Sequence, residues 1–253
     1  MKESNNTQEA LHSYHVWDRS VRIFHWVNVV CVMGLMALGL AILYNSSFEV
    51  SSDGKILLKT LHVYFGYVFV FNLLWRISWF FFGNQYSSWR EALPFGGRYR
   101  ASLKSYIKGS KQDNPPQHLG HNPVGKMMVA LLFILLIEQA MSGLILAGTD
   151  LYFPPFGSEV AEWVAVPSEE GSTAVELKPG SKENVDPDAY KEMRAVRKPI
   201  ATVHKYVFYI LLTAIFLHIL GVVRAEVKER SGLISAMFTG KKVFSKKPVD
   251  MDD

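Results

Sequence analysis

Cysteine is nearly absent from this chain: 253 residues hold one, Cys31. A lone thiol excludes a disulfide framework, an iron–sulfur cluster or a zinc knuckle built within the chain. No C-x-x-C-H occurs, so covalent attachment of a c-type haem is excluded as well. Acidic residues are missing from four long apolar stretches, in which Glu138 is the only carboxylate. The polar first twenty residues, with Asp18, and the lack of a small-residue cleavage site make the first stretch a retained helix rather than a cleaved leader.

The four stretches run over about 21–43, 60–82, 124–147 and 200–223. A helix needs about 20 apolar residues to cross a bilayer core, and a lone lipid-facing segment must be helical to pair its own backbone groups. The reading is an all-α membrane protein, a four-helix transmembrane bundle. Lys and Arg set its orientation. Arg90, Arg98, Arg100, Lys104, Lys108 and Lys111 fill the second connection, and Arg224, Lys228, Arg230, Lys241, Lys242, Lys246 and Lys247 fill the C-terminal tail. The first connection has only Lys55 and Lys59, and the segment from Asp150 to Glu192 holds ten acidic residues. Both termini are therefore expected in the cytoplasm: an N-terminal tail 1–20, a membrane domain 21–223 with an outer loop at about 148–199, and a basic tail 224–253. That outer loop reads as an aromatic start, LYFPPFG, followed by irregular structure. The stretch 87–109 mixes Trp89, Leu93, Leu103, Tyr106 and Ile107 with basic residues, as amphipathic pieces on the inner surface do, with a solvated basic linker as the competing reading. The partner of these basic segments is membrane lipid, not nucleic acid.

Histidine is where the spans depart from plain hydrocarbon. Of eight histidines, His12, His15, His118 and His121 lie in polar segments, while His25, His62, His204 and His218 lie in the spans. An ionisable side chain inside a membrane needs a partner or a task. At 100° and 1.5 Å per residue, His218 shares a face with His204 about 21 Å further along. The two cannot meet one metal, so each requires a partner from another helix. Depth pairs His25 with His218 on the inner side and His62 with His204 on the outer side. Each pair can supply two axial imidazoles to a non-covalent haem. Gly34, Gly39, Gly66 and Gly143 suit close helix approach or a flat macrocycle. Arg76 falls fourteen residues after His62, at the inner depth, where it either pairs with a haem propionate or snorkels to headgroups. Plain interhelical hydrogen bonding competes for a single histidine but does not account for four that close into two pairs. A di-metal oxygenase would need clustered carboxylates, which the spans lack.

Arg22-Ile-Phe-His25-Trp26 with Leu38-Gly39, His204-Lys205 with His218 thirteen residues on, Leu61-His62 with Gly66, Trp75-Arg76, Phe82-Gly83-Asn84, and Gly120-His121-Asn122-Pro123 carry a resemblance. The chain resembles the b-type cytochrome subunits of membrane-bound nickel–iron hydrogenases, within the bacterial cytochrome b561 group. The resemblance implies two b haems on those four histidines. It also implies electron flow between a periplasmic redox subunit and membrane quinone in the bacterial inner membrane. The chain would then be an electron-transfer subunit rather than a stand-alone enzyme. His121 and Asn122 are the candidates for gripping a quinone carbonyl, and Asn122-Pro123 also suits a helix cap. Glu138 suits either a proton relay or a hydrogen bond to a neighbouring helix. A c-type cytochrome or molybdenum enzyme as partner, and a non-redox anchor or transporter, are the competing readings.

Overall fold

A computed structural model describes residues 11–166 and 177–251. Part of the N-terminal tail, part of the expected outer loop and the last two residues lie outside them. The elements are β1 (His12–His15), α1 (Arg19–Leu43), α2 (Ser52–Phe82), a 3-10 turn (Gln85–Ser87), α3 (Trp89–Ala92), α4 (Gly97–Lys111), α5 (Pro123–Leu151), α6 (Gly157–Val164), α7 (Pro187–Glu229), α8 (Leu233–Thr239) and β2 (Lys241–Phe244). Four of them, α1, α2, α5 and α7, are long and apolar enough to cross a membrane.

Each long helix begins where a short polar side chain caps it. Asp18 Oδ1 accepts from Val21 N at 2.9 Å, Ser51 Oγ from Gly54 N at 3.1 Å, Asn122 Oδ1 from Gly125 N at 2.7 Å, and Asp186 Oδ1 from Asp188 N and Ala189 N at 2.9 Å. Such a cap satisfies backbone donors that have no carbonyl one turn back, and is worth about 1 kcal/mol. Pro123 and Pro187 follow as first helical residues, where the missing N–H costs nothing.

Two helices are longer than hydropathy indicates. The α2 helix starts at Ser52, not 60, and α7 runs from Pro187 to Glu229, beyond 200–223 at both ends. Polar turns carry each helix out of the hydrocarbon, and a hydropathy window does not register them. The α7 helix also passes through Pro199, which costs it the hydrogen bond to the carbonyl of Ala195. The expected irregular loop is partly built: α6 and the start of α7 pack Val160, Val164, Val185 and Met193 into a small core. Ala165 bridges Val185 in antiparallel fashion. The stretch 87–109 does form short helices, α3 and α4.

The chain divides into two compact units. The first holds residues 1–25, 75–133 and 213–253, the second 26–74 and 134–212. In the first, β1 pairs antiparallel with β2, His12 opposite Phe244 and His15 opposite Lys241. That strand pair closes a core of Val16, Trp17, Val21, Leu119, Ala236 and Phe244. The basic tail is thus a folded segment. In the second unit, a Cβ on Gly34 would stand 2.6 Å from Phe65 Cε1, so only glycine allows that ring its place. Outward-facing side chains are apolar: Phe71, Phe81, Ile134 and Met141 are each more than half exposed. A surface of that kind belongs against lipid.

Candidate functional site

The second unit brings His62 of α2 and His204 of α7 together. Their ring centres are 6.4 Å apart and their planes cross at 74°. Ser142 of α5 fixes one of them. Its hydroxyl donates to the carbonyl of Glu138 at 2.8 Å and lies 2.7 Å from His204 Nδ1. With its one proton spent on Glu138, the Ser142 oxygen accepts from His204 Nδ1–H. That tautomer leaves Nε2 with its lone pair, as a metal ligand requires. Gln139 Nε2 donates to the carbonyl of His204 at 2.9 Å. Glycines stand behind both rings: a Cβ on Gly39 would touch His62 Cε1 at 3.4 Å, and one on Gly143 would touch His204 Cε1 at 3.5 Å. An added Cβ at either place would stand in van der Waals contact with the ring. His62 Nδ1 is buried without a hydrogen-bond partner among the described residues.

The first unit holds His25 of α1 and His218 of α7. Arg76 is 4% exposed there. Its guanidinium lies over the Phe80 ring at 4.0 Å, and Nη2 donates to the carbonyl of Ser87 at 3.1 Å. Nη1 is buried with no acceptor among the described residues. An unmet guanidinium donor of this kind suits an anionic oxygen.

His121 packs on Trp17 with ring centres 4.7 Å apart. Burial, then the charges of Lys242, Arg76, Lys126 and His218, depress its pKa to about 3, so the ring is neutral at ordinary pH. Its Nδ1 has no partner among the described residues. Asn122 is different: both ends of its amide are engaged. Oδ1 caps α5, and Nδ2 donates to Glu229 Oε1 at 2.6 Å and to Tyr106 Oη at 3.0 Å. Tyr106 itself donates to Glu229 Oε1 at 2.6 Å. Burial and then that carboxylate push the Tyr106 phenol well above its ordinary pKa.

Sequence reading missed the clamp on the loop before α5. Lys242, 1% exposed, donates to the carbonyls of Gly120 (2.7 Å) and His118 (3.2 Å). Asp250 accepts from Leu119 N (2.6 Å) and Gly120 N (3.0 Å), and Val249 N donates to Gln117 O at 2.9 Å. Lys242 of β2 and the segment after it thereby hold the backbone that carries His121. No local motif announces it. Ser142 was more accessible, since Glu138, Gln139 and Ser142 form the one polar patch in an otherwise apolar span.

The model of the prokaryotic cytochrome b561 family matches residues 16–240, a stretch containing all four span histidines. The chain belongs to that family. Among its relatives is the probable Ni/Fe-hydrogenase 1 B-type cytochrome subunit of Escherichia coli K12, 30% identical over 143 residues. That match spans 52% of this chain and 59% of the relative. The probable Ni/Fe-hydrogenase B-type cytochrome subunit of Rhizobium leguminosarum bv. viciae is 24% identical over 254 residues, 92% of this chain and 90% of the relative. The namesake in Cupriavidus necator is 22% identical, over 93% of this chain and 89% of the relative. No solved structure matches. Family and spans together make this a membrane b-type cytochrome of electron transfer, multi-pass in the bacterial inner membrane.

Haem b is the group that name implies, and the His62–His204 pair fits it. An axial imidazole nitrogen sits about 2 Å from its metal. With the ring centre about 1 Å behind, two axial rings stand about 6 Å apart. The His62–His204 separation of 6.4 Å meets that requirement. Among the described residues no three of His, Cys, Asp and Glu converge.

Proposed function

We propose that the chain is a dihaem cytochrome b that carries electrons between a periplasmic redox subunit, hydrogenase-like in chemistry, and the membrane quinone pool. The observation that carries this reading is the His62–His204 pair, spaced as axial ligands are, with Ser142 setting one ring's tautomer. Haem b, when bound, supplies a one-electron couple. His62 and His204 hold one such group and His25 and His218 the other. Arg76 offers its unmet Nη1 to a propionate of the latter. Both termini are assigned to the cytoplasm on the Lys and Arg distribution.

Quinone reduction takes two electrons and two protons. Of the two candidates before α5, His121 has a ring nitrogen free to donate to a quinone carbonyl, and Asn122 holds the helix start that places it. The buried Tyr106–Glu229 pair lies against Asn122 and offers a proton-bearing group to the same site. The hydrogenase-like partner is inferred from the hydrogenase cytochrome subunits among the relatives.

Haem stoichiometry tests the reading. The purified chain should yield two haems per polypeptide by pyridine haemochrome, all extractable by acid acetone, and both low-spin. One haem or none per folded chain overturns it.

A further inference from the structure

The start of α7, assigned to the outer side, is rich in cations where the sequence pattern otherwise has few. Lys191, Arg194, Arg197, Lys198 and Lys205 line a shallow groove of about 540 Å³ together with Ala195, Ala201 and Thr202. At 100° per residue these positions fall on one face of the helix. Arg197 forms an ion pair with Asp150 at 2.6 Å, and the same carboxylate also takes Lys59 at 2.7 Å. Lys191, Arg194, Lys198 and Lys205 are exposed and meet no carboxylate among the described residues. Apart from Arg197, the groove is therefore a strip of positive charge unneutralised by the described residues and floored by small side chains.

We propose that this face of α7, from Lys191 to Lys205, binds the headgroup of an anionic phospholipid. Depth decides between a lipid and an acidic protein. The apolar run of α7 begins at Ile200, so Lys191, Arg194 and Lys198 stand at headgroup level or above. Lys205 lies about 10 Å beyond Lys198 along the helix. Val203, Tyr206 and Ile210 beside it are exposed apolar residues, facing acyl chains. A lysine there keeps its charge in a polar layer by snorkelling back along the groove. A water-soluble partner ends at the headgroups and does not reach it. A phosphodiester sits at the level where ammonium groups from above and below converge, and its oxygens accept from both. Ala195 and Ala201 leave room for it against the helix, and Pro199 marks the level at which the helix enters the apolar layer.

The test is native mass spectrometry of the intact, haem-loaded cytochrome in detergent, titrated with phosphatidylglycerol and with phosphatidylcholine. Phosphatidylglycerol should bind in preference. The Lys191→Gln/Arg194→Gln/Lys198→Gln variant should lose about 100-fold in that affinity, at about fivefold per cation, with its haem spectrum unchanged. Should that triple variant lose haem, Lys198→Gln alone carries the test, with about fivefold expected. Inorganic phosphate at millimolar concentration should fail to compete. Equal binding of the two lipids overturns the proposal. So does unaltered phosphatidylglycerol binding by the variant, or full competition by inorganic phosphate. Loss of binding to an acidic soluble protein with lipid affinity intact assigns the strip to a partner instead and also overturns it.

Discussion

The two histidine pairs use the same side chain on the same kind of helix, yet their surroundings differ in charge. Around His62 and His204 the polar contacts are uncharged, a serine hydroxyl and a glutamine amide. The unit that holds His25 and His218 also contains Lys126, Lys242 and the buried guanidinium of Arg76, whose Nη1 has no acceptor among the described residues. A reduced haem carries one more negative charge than an oxidised one, so nearby cations favour reduction and raise the potential. On the proposed dihaem reading, the contrast predicts the lower potential at the His62–His204 site and the higher at the His25–His218 site, and electrons entering at the first would run downhill to the second.

Breaking the pairs gives the largest effect. Replacing His62 or His204 by Ala should remove or convert to high-spin the same haem, leaving the other spectrum and potential in place. His25→Ala and His218→Ala should share the opposite phenotype. Optical redox titration of the four single variants reads this directly. Grouping of His25 with His204, or of His62 with His218, would break the depth pairing and with it the comparison.

Arg76 tests the charge difference itself. One charge several ångströms from the macrocycle is worth about 1–3 kcal/mol at an effective dielectric near 20. Arg76→Leu should therefore lower the His25–His218 potential, shifting its reduction equilibrium by roughly 5- to 150-fold. The other haem should hold its value. Arg76 also stacks on Phe80 and bonds Ser87, so packing loss needs a control. Arg76→Lys restores the charge without the planar fork, and should recover most of the potential. An unchanged potential in Arg76→Leu would mean that the guanidinium holds packing alone.

The spans, the four histidines and Arg76 were legible because hydrocarbon makes each polar residue in it conspicuous. Helix ends were less so, and for a specific reason. Asn122-Pro123 was recognised as a cap signal, while the same signal at Asp186-Pro187 lay inside a segment that hydropathy had assigned to a loop. A cap is read by its polar side chain and proline, not by apolar content, and it would have placed the start of α7 correctly. The strand pair of β1 with β2, and the clamp by Lys242 and Asp250 on the loop 117–120, join residues more than a hundred positions apart. Neither leaves a local pattern. The role of Asn122 was legible as a cap, but its bonds to Glu229 and Tyr106 were not, since those partners come from other elements.

Ser142 gives the smallest effect and the sharpest sign. Its oxygen accepts from His204 Nδ1–H, and that bond makes the imidazole a more basic ligand. A more basic ligand favours the ferric state, so Ser142 holds the His62–His204 potential down. Ser142→Ala should keep the haem, because His62, His204 and the glycines behind them remain. It should weaken haem retention by about 10-fold, at the low end for an outer partner of a ligand, measured as transfer to an excess of apomyoglobin. The potential of this haem should rise, by less than Arg76→Leu lowers the other. The two substitutions thus move the two potentials toward each other from opposite ends, and the double variant should show the sum, since the residues share no partner. A fall in the Ser142→Ala potential would mean that His204 does not donate through Nδ1, and would reverse the tautomer on which the fit of this pair depends.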